Sequence, residues 1–164
     1  MTEAVQRTDR EEWRIVDELY PSLRRFAAVT APWDMEPDDL LQDALVNVLK
    51  RHSLSELDHP AAYLRRTMIN LATSHNRRMG SRRRKLPLMA AAADSAATSN
   101  YPSDLAELLR LPPRERAALY LAEVEGYRFD EIARMLDCSE AAARKGASRA
   151  RKHLKLQLTT EGLK

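Results

Sequence analysis

Residues 129–155 read FDEIARMLDCSEAAARKGASRARKHLK, and this stretch decides the fold prediction. Ile132 and Leu136 repeat at helical spacing up to a short turn at Cys138. Ser139 then supplies a side-chain oxygen suited to cap a second helix. Two helices joined by so short a turn predict a helix-turn-helix. The face of its second helix that is expected to be buried consists of Ala143, Ala147, Ala150 and Leu154.

The second helix of this pair is basic, and its polar side chains fall mostly off the alanine row. Cations in that position are available to phosphates and base edges. A solvated basic helix on a plain helical bundle is the alternative interpretation. The candidate DNA-binding residues on this helix are Ser139, Arg144, Lys145, Ser148, Arg149 and Lys152.

Charge is sorted along the chain, although the net charge is only +3. Residues 1–60 carry 7 basic and 13 acidic side chains, whereas residues 61–100 carry 8 and 1. The pattern repeats in residues 101–138, with 5 and 8, and residues 139–164, with 7 and 2. Two basic blocks, each preceded by an acidic one, predict two contacts with anionic partners and two other surfaces.

Composition favours an all-α protein, because 44% of the residues are hydrophobic but only 5% are aromatic, with 4 Gly. Such chains pack helices through Leu, Ala, Ile and Val. No apolar run approaches the ~18 residues that span a membrane, and the first residues do not resemble a secretory signal. The single Cys138 excludes an intramolecular disulfide framework, so we expect a cytoplasmic protein.

The clearest upstream helix is predicted in the stretch EPDDLLQDALVNVLKR. Pro37 suits its first turn, and two acids follow that proline. Its apolar residues predict one buried stripe that includes Leu45, Val48 and Leu49. The opposite face is acidic and polar, which favours a basic partner other than DNA. For Asp38 and Asp39 there is a simpler explanation, because an acid near the start of a helix stabilises the helix by ~0.3–1 kcal/mol. The face consists of Asp38, Asp39, Gln42 and Asp43.

A further helix is predicted from Pro60, reading PAAYLRRTMINLATSHNRR, and Tyr63 aligns with its core positions. Asn70 is a poor helix former in mid-helix, so either it is buried against a neighbouring backbone group or it serves a ligand. Four cations lie off the apolar face: Arg65, Arg66, Arg77 and Arg78.

The chain is therefore expected to form two small helical domains, residues 1–85 and 104–164, joined by a flexible linker. The linker, residues 86–103, is rich in Ala and Ser, holds two prolines and lacks periodicity. In the first domain, Pro21 should kink or restart the first helix. In the second, Leu119 and Val124 are expected to point inward.

Three segments in this order resemble the extracytoplasmic-function (ECF) branch of the bacterial RNA polymerase sigma factors. DDLLQDALVNVLKR resembles the region 2 helix that docks on the polymerase clamp. YLRRTMINLATSHNRR resembles the helix that handles the minus-ten promoter element. LPPRERAALYLAEVEGYRFDEIARMLDCSEAAARKGASRARKHL resembles region 4, which reads the minus-thirty-five element.

The resemblance implies a role for each candidate surface. The acidic face would bind the clamp of the polymerase's largest subunit, and Asn70 with the four arginines would hold the minus-ten strand. A pocket for a minus-ten base would lie in the loop of residues 52–60. An anti-sigma protein is a further expected partner. Relatives often have a β-branched residue, a basic residue and Leu where this chain has Ala143, Gly146 and Ala147, so base reading near Gly146 is in question.

Two other classes of protein remain as alternatives. A stand-alone helix-turn-helix regulator would bind duplex DNA without polymerase, and a helical adaptor would bind acidic proteins. Catalysis has no support, since the four histidines are scattered and one cysteine makes no metal cluster. We therefore expect no enzyme activity, metal or cofactor, and we expect Cys138 to be a packed residue.

Overall fold

The computed structural model describes the backbone of residues 2–85 and 108–161, and the side chains of residues 10–82 and 108–155. The predicted linker lies outside the described residues. Those residues form α-helices and one 3-10 turn, without a strand. The elements are α1 (Thr2–Thr30), α2 (Pro37–Leu49), the 3-10 turn (Leu54–Glu56), α3 (Pro60–Lys85), α4 (Pro113–Glu123), α5 (Phe129–Leu136) and α6 (Glu140–Glu161). The all-α prediction is confirmed.

The helix α1 is continuous through Pro21, so the predicted restart there is wrong, whereas the predicted kink stays a prediction. Proline removes one backbone donor and its ring crowds the carbonyl four residues earlier. Pro21 and Asp17 both lie on the exposed side of α1, where water can satisfy that carbonyl. The buried side of α1, which includes Leu23, Phe26 and Ala27, continues through the proline.

The helices α2 and α3 cover the buried side of α1. As predicted, α2 begins with Pro37 and carries Asp38 and Asp39 in its first turn. Between α2 and α3, Glu12 of α1 anchors the 3-10 turn, because its carboxylate accepts hydrogen bonds from the backbone N–H of Leu54, at 2.9 and 3.0 Å, and from the Ser53 hydroxyl. A side chain of α1 therefore holds the loop between α2 and α3 in place.

The second half of the chain forms the predicted helix-turn-helix. Ala143, Ala147 and Ala150 of α6 are buried as expected, and Leu154 is half-buried. Val124 is 69% exposed, so its predicted inward position is wrong, and Leu119 is only half-buried. The inward positions of α4 belong instead to Ala117, Ala118 and Leu121.

The two halves share one hydrophobic core in this structure. The helix α1 packs against α4, and α3 packs against both α4 and α5. Phe26 of α1 meets Tyr120 of α4 edge to face, with ring centroids 6.2 Å apart. A single buried cluster runs from Leu23 through Met68 to Leu121 and Ile132. The helical units α1–α3 and α4–α6 are thus packed together.

Candidate nucleic-acid and protein interfaces

The acidic face of α2 is accessible, as the sequence predicts. Asp39, Gln42 and Asp43 are exposed. Asp38 is partly withdrawn, because Arg24 of α1 donates to its carboxylate at 2.9 Å and the Tyr20 hydroxyl does so at 3.3 Å. This carboxylate in turn raises the pKa of Arg24, mainly through the hydrogen bond. Asp38 is therefore tied to α1 as well as placed beside the other three.

Two apolar residues on the acidic side of α2 were missed. Val46 is 49% exposed, and Leu49 is 45% exposed, although Leu49 was assigned to the buried stripe. The stripe is narrower than predicted because α2 ends at Leu49 and α1 and α3 cover only one side of it. Asp39, Gln42, Val46 and Leu49 recur at helical spacing, so this surface is acidic at its start and apolar at its end.

The exposed stripe of α3 consists of Tyr63, Arg66, Asn70, Thr73 and Arg77, which recur at three- and four-residue intervals. Asn70 is exposed, so the buried alternative for it is wrong. Within the described part of the chain, Asn70, Arg77 and Arg78 have no side-chain partner. This stripe offers an amide and several cations to one ligand.

Tyr63 belongs to this stripe and not to the core, which corrects the prediction. It is 37% exposed, and its hydroxyl lies 3.1 Å from Nε2 of His52. The two rings pack edge to face with centroids 5.3 Å apart. Tyr63 precedes Asn70 by seven residues, which is two helical turns, and this spacing could have placed both on the same face from the sequence. An aromatic ring held there can stack on a base.

Arg65 is the site residue that the structure places elsewhere. It is 3% exposed, although it was predicted to face DNA. Its Nη2 donates to Glu125 at 2.7 Å and its Nη1 donates to the Tyr127 hydroxyl at 3.2 Å. The next residue, Arg66, is exposed, and its guanidinium donates to Asp137 at 2.7 Å. Arg65 and Arg66 thus both bind the second helical unit.

The turn before α6 has the geometry that the sequence predicts. The Ser139 hydroxyl accepts a hydrogen bond from the backbone N–H of Ala142 at 3.1 Å, which caps the helix. Asp137 takes the left-handed conformation, with φ of 53°, and so reverses the chain between α5 and α6. Burial raises the pKa of the Cys138 thiol, in keeping with a packed cysteine.

The cations of α6 divide into paired and unpaired groups. Arg144 donates to Glu140 at 2.6 Å and lies 4.8 Å from the centre of the Phe129 ring. Arg149 donates to Glu115 of α4 at 3.3 Å. In the described region, Lys145 and Lys152 have no acidic partner. Together with exposed Ser148 they line one side of α6, at intervals of three and four residues.

Gly146 faces the core of the second unit and not the exposed side of α6. A Cβ atom at Gly146 would lie 3.7 Å from both Cα and Cγ of Glu115 and 3.8 Å from Cβ of Ala118. These are ordinary contact distances. Gly146 therefore packs on α4 beside the buried Ala147, whereas Lys145 and Ser148 face outward.

A second buried arginine crosses between the helical units and was not predicted. Arg116 of α4 is 1% exposed, and its Nη2 donates to the carbonyl oxygens of Thr30 and Ala31, at 3.0 and 3.1 Å. These carbonyls end α1, where helix acceptors lack partners and the helix dipole favours cations. Burial lowers the pKa of Arg116 to about 10.

The loop of residues 52–60 lines a cleft of about 660 Å³ between the units. One wall comes from Leu57, His59 and Pro60, and the opposite wall includes Tyr127, Arg134 and Met135. Within the described residues, no group of three or more acidic, His or Cys side chains is arranged to hold a metal ion. Nor does any helix there have an apolar segment long enough to cross a membrane.

Comparison with known proteins connects these surfaces to a family. Residues 105–154 match the family "Sigma-70, region 4". The ECF RNA polymerase sigma factor SigM of Mycobacterium tuberculosis, in strains Erdman and H37Rv, is 28% identical over 136 residues. The match covers 80% of this chain and 69% of SigM.

A solved structure has the same fold. It is the sigma factor RpoE of Bartonella quintana, crystallised with the anti-sigma factor NepR. The two chains superpose with a TM-score of 0.61 at 20% identity, over 92% of this chain and 98% of the other. The similarity extends well beyond residues 105–154, because it includes the helices α1–α3 that carry the acidic face and the Asn70 stripe.

Proposed function

We propose that the chain is a sigma factor of the extracytoplasmic-function branch, in which one surface binds RNA polymerase and two others bind the promoter. As a promoter-directing sigma factor it binds core RNA polymerase and guides the enzyme to specific start sites. The observation that carries the assignment of surfaces is the separation of one acidic face on α2 from two exposed basic stripes, on α3 and α6.

The α2 face binds core polymerase, through the clamp of the largest subunit. Asp38, Asp39, Gln42 and Asp43 supply negative charge and hydrogen-bond acceptors at its start. The exposed Val46 and Leu49 add apolar contact area at its end. A surface with both components suits a basic protein partner that also has apolar contacts, whereas DNA would be repelled by the acids.

The α3 stripe captures the displaced minus-ten strand. Arg66, Arg77 and Arg78 bind phosphates, Asn70 hydrogen-bonds to a base edge, and Tyr63 provides a ring for stacking. Stacking on an aromatic side chain contributes ~1–3 kcal/mol per base, which favours the unpaired strand over the duplex. Arg65 joins this surface only if it leaves its partners in the second helical unit.

The helix α6 reads the minus-thirty-five element from the side that carries Lys145, Ser148 and Lys152. Arg144 and Arg149 lie at the edges of that side, where their acidic partners hold them in place. Ser139 serves chiefly as the helix cap and presents the start of α6 to the phosphates. Residues 1–85 and 104–164 thus act as regions 2 and 4, joined by the linker of residues 86–103.

An anti-sigma protein is a further proposed partner, because the solved chain of the same fold was crystallised with one. Such an inhibitor would cover the acidic and apolar face of α2. The proposed site of action is the cytoplasm, where RNA polymerase works, and the proposed role is binding without catalysis.

The test is run-off transcription on a genomic fragment library, using core RNA polymerase with and without the chain. New discrete start sites that require the chain are expected, and their alignment would define both promoter elements. Binding of the chain alone to duplex DNA is the companion measurement. Specific binding without polymerase at ~10⁻⁸ M or tighter, with no new start sites, would contradict the proposal and indicate a stand-alone regulator.

A further inference from the structure

A cavity of about 430 Å³ lies where α4 packs against the end of α1 and the second half of α6. Its volume is typical of small-molecule sites, which measure ~300–1,000 Å³ and have mostly apolar walls. None of the described residues that line it belongs to the acidic face of α2, the α3 stripe or the Lys145 side of α6. The proposed function therefore leaves this cavity without a role. Its apolar and aromatic walls come from Val29, Leu108, Leu119, Tyr120, Val124 and Leu154.

Arg116 of α4 lines this cavity, although the residue is only 1% exposed. Its Nη2 donates to the carbonyl oxygens of Thr30 and Ala31. Its Nε and Nη1 are buried and have no hydrogen-bond partner among the described residues. Burial lowers the pKa of Arg116, and no acidic side chain in the part of the chain that the structure describes offsets that effect. The guanidinium therefore has unused N–H donors and no carboxylate to balance its charge.

Two further charged residues line the cavity, and they compensate each other. Glu123 of α4 accepts a hydrogen bond from Arg151 of α6, and both side chains are half-exposed. With two arginines and one glutamate, the lining keeps one uncompensated positive charge, which belongs to the buried Arg116. A ligand that matches this lining has an apolar body and one negative group, since a second charge would be buried without a partner. A hydrocarbon would leave the N–H donors of Arg116 without an acceptor.

We propose that this cavity binds a small apolar carboxylic acid, of the class of the medium-chain fatty acids, with its carboxylate at Arg116 and its chain against the valine and leucine walls. Hydrogen bonds between charged groups are stronger than those between neutral groups, and the guanidinium matches the geometry of a carboxylate. The apolar walls strengthen that contact, because they lower the local dielectric constant. The site does not depend on the proposed sigma function, because it lies outside the surfaces assigned to polymerase and promoter.

Binding is measured by isothermal titration calorimetry of the full chain with three probes of equal chain length: octanoate, 1-octanol and octylammonium. Octanoate should bind at one site per chain and about tenfold or more tightly than 1-octanol, because only the carboxylate is a charged acceptor for Arg116. Octylammonium should bind more weakly than 1-octanol, because its charge is repelled by the guanidinium. The three probes separate the contribution of the headgroup from that of the apolar chain.

Arg116→Met is the decisive substitution, because it removes the charge and keeps most of the side-chain volume. It should weaken octanoate binding about tenfold or more and change 1-octanol binding by less than about threefold. Arg114→Met is the matched control, because Arg114 is an exposed arginine of the same helix that does not line the cavity. Its affinities for both probes should equal those of the parent chain. Circular dichroism would establish that each variant retains its helix content.

The position of the ligand is measured without any variant, from methyl NMR spectra of the parent chain with and without octanoate. The methyl signals of Val29, Leu119 and Leu154 should shift, because these residues line the cavity. Those of Leu40 and Leu64 should stay in place, because these residues of α2 and α3 are buried elsewhere in the core.

Several results would overturn the inference. Equal affinities of the parent chain for octanoate and 1-octanol would contradict the role of Arg116, and so would unchanged octanoate binding in Arg116→Met. Shifts at Leu40 and Leu64 without shifts at the cavity would show that the ligand binds elsewhere. Absence of octanoate binding would also remove the site, including the case in which another part of the chain fills the cavity. Run-off transcription decides the proposed function separately, because none of these measurements uses polymerase or DNA.

Discussion

Arg116 shows at the scale of one residue how packing and charge oppose each other. It is 1% exposed and lines a cavity together with Val29, Leu119 and Leu154, while only one of its terminal nitrogens is hydrogen-bonded. Burial lowers the pKa of Arg116 to about 10 in the folded chain, below the ordinary value that the unfolded chain keeps. Below pH 10 the fold therefore carries the cost of a buried charge, and that cost falls as the pH rises above 10.

Replacing Arg116 should consequently separate volume from charge. Arg116→Ala should lower the free energy of unfolding by about 3 kcal/mol, because it opens a cavity. Arg116→Met should stay within about 1 kcal/mol of the parent chain, because it keeps most of the volume and removes the buried charge. Urea denaturation followed by circular dichroism measures both. Equal losses for the two variants would mean that the hydrogen bonds to Thr30 and Ala31 dominate.

The sequence identified Gly146 as unusual, but it did not predict which side of α6 this residue lies on. A helical glycine carries an entropic cost of about 0.5–1 kcal/mol relative to alanine, wherever it lies on the helix. The structure adds that it faces Glu115 and Ala118 with room for one methyl group.

Gly146→Ala should therefore stabilise the chain by about 0.5–1 kcal/mol, measured as a shift in the urea midpoint at unchanged slope. Promoter preference should not change, because the added methyl group lies on the inner side of α6. Gly146→Val is the contrasting variant, and it should destabilise the chain because it adds volume against α4. A loss of stability in Gly146→Ala would show that the helices α4 and α6 cannot accommodate the methyl group.

At the scale of one element, α2 differs from its sequence pattern at the end rather than at the start. The acids of its first turn fall where the pattern predicts, because they depend on the helix period alone. Leu49 is exposed although it continues the apolar pattern, because only the neighbouring helices determine how wide a stripe is covered.

Charge reversal on α2 tests the proposed polymerase surface. Asp39→Arg with Asp43→Arg should weaken binding to core polymerase at least tenfold, because two attractive contacts become repulsive. Asp17→Arg with Glu18→Arg makes the same change in charge on α1 and serves as the control. Binding is measured by fluorescence anisotropy of the labelled chain. Unchanged affinity of the α2 variant would contradict the docking assignment.

The helix α6 allows a similar comparison between an unpaired and a paired cation. Lys145→Ala should reduce the salt dependence of promoter binding by the holoenzyme by roughly one unit in the slope of log K against log salt. Arg151→Ala should leave that slope unchanged, because the exposed Arg151 is already paired with Glu123 of α4. Filter binding at several KCl concentrations measures both. Equal slopes for the two variants would argue against a phosphate contact at Lys145.

At the scale of the whole molecule, the shared core predicts cooperative behaviour. The chain contains two tryptophans, Trp13 and Trp33, and both lie in the first helical unit. Tryptophan fluorescence therefore reports that unit alone, whereas circular dichroism at 222 nm reports all the helices.

The two signals should give coincident urea transitions in the parent chain, because the units unfold together. Glu125→Arg should separate the transitions, because it places a second cation against Arg65 and divides the shared core. Glu123→Arg is the control, because it makes the same change in charge at a residue whose partner, Arg151, lies in the same helical unit. Two separate transitions in the parent chain would contradict a common core.

Local periodicity was sufficient to predict the helices, the helix-turn-helix and its cap, and the acidic face of α2. These features depend on residues within a few turns of one another, and the helix period relates them directly. The order of the acidic and basic blocks predicted the number of binding surfaces, and the resemblance of three segments indicated the family.

Only the tertiary structure decided which candidate side chains are accessible. Arg65 and Arg66 are neighbours in sequence with the same charge, yet one is buried against Glu125 and the other is exposed. For the same reason, Tyr63 and Leu49 are exposed although both were predicted to face the core, and Gly146 and Arg116 are buried although no pattern predicted it. Burial depends on elements about 30 to 90 residues away along the chain, such as Glu115 for Gly146 and Thr30 for Arg116, and no local pattern records which of them will pack together.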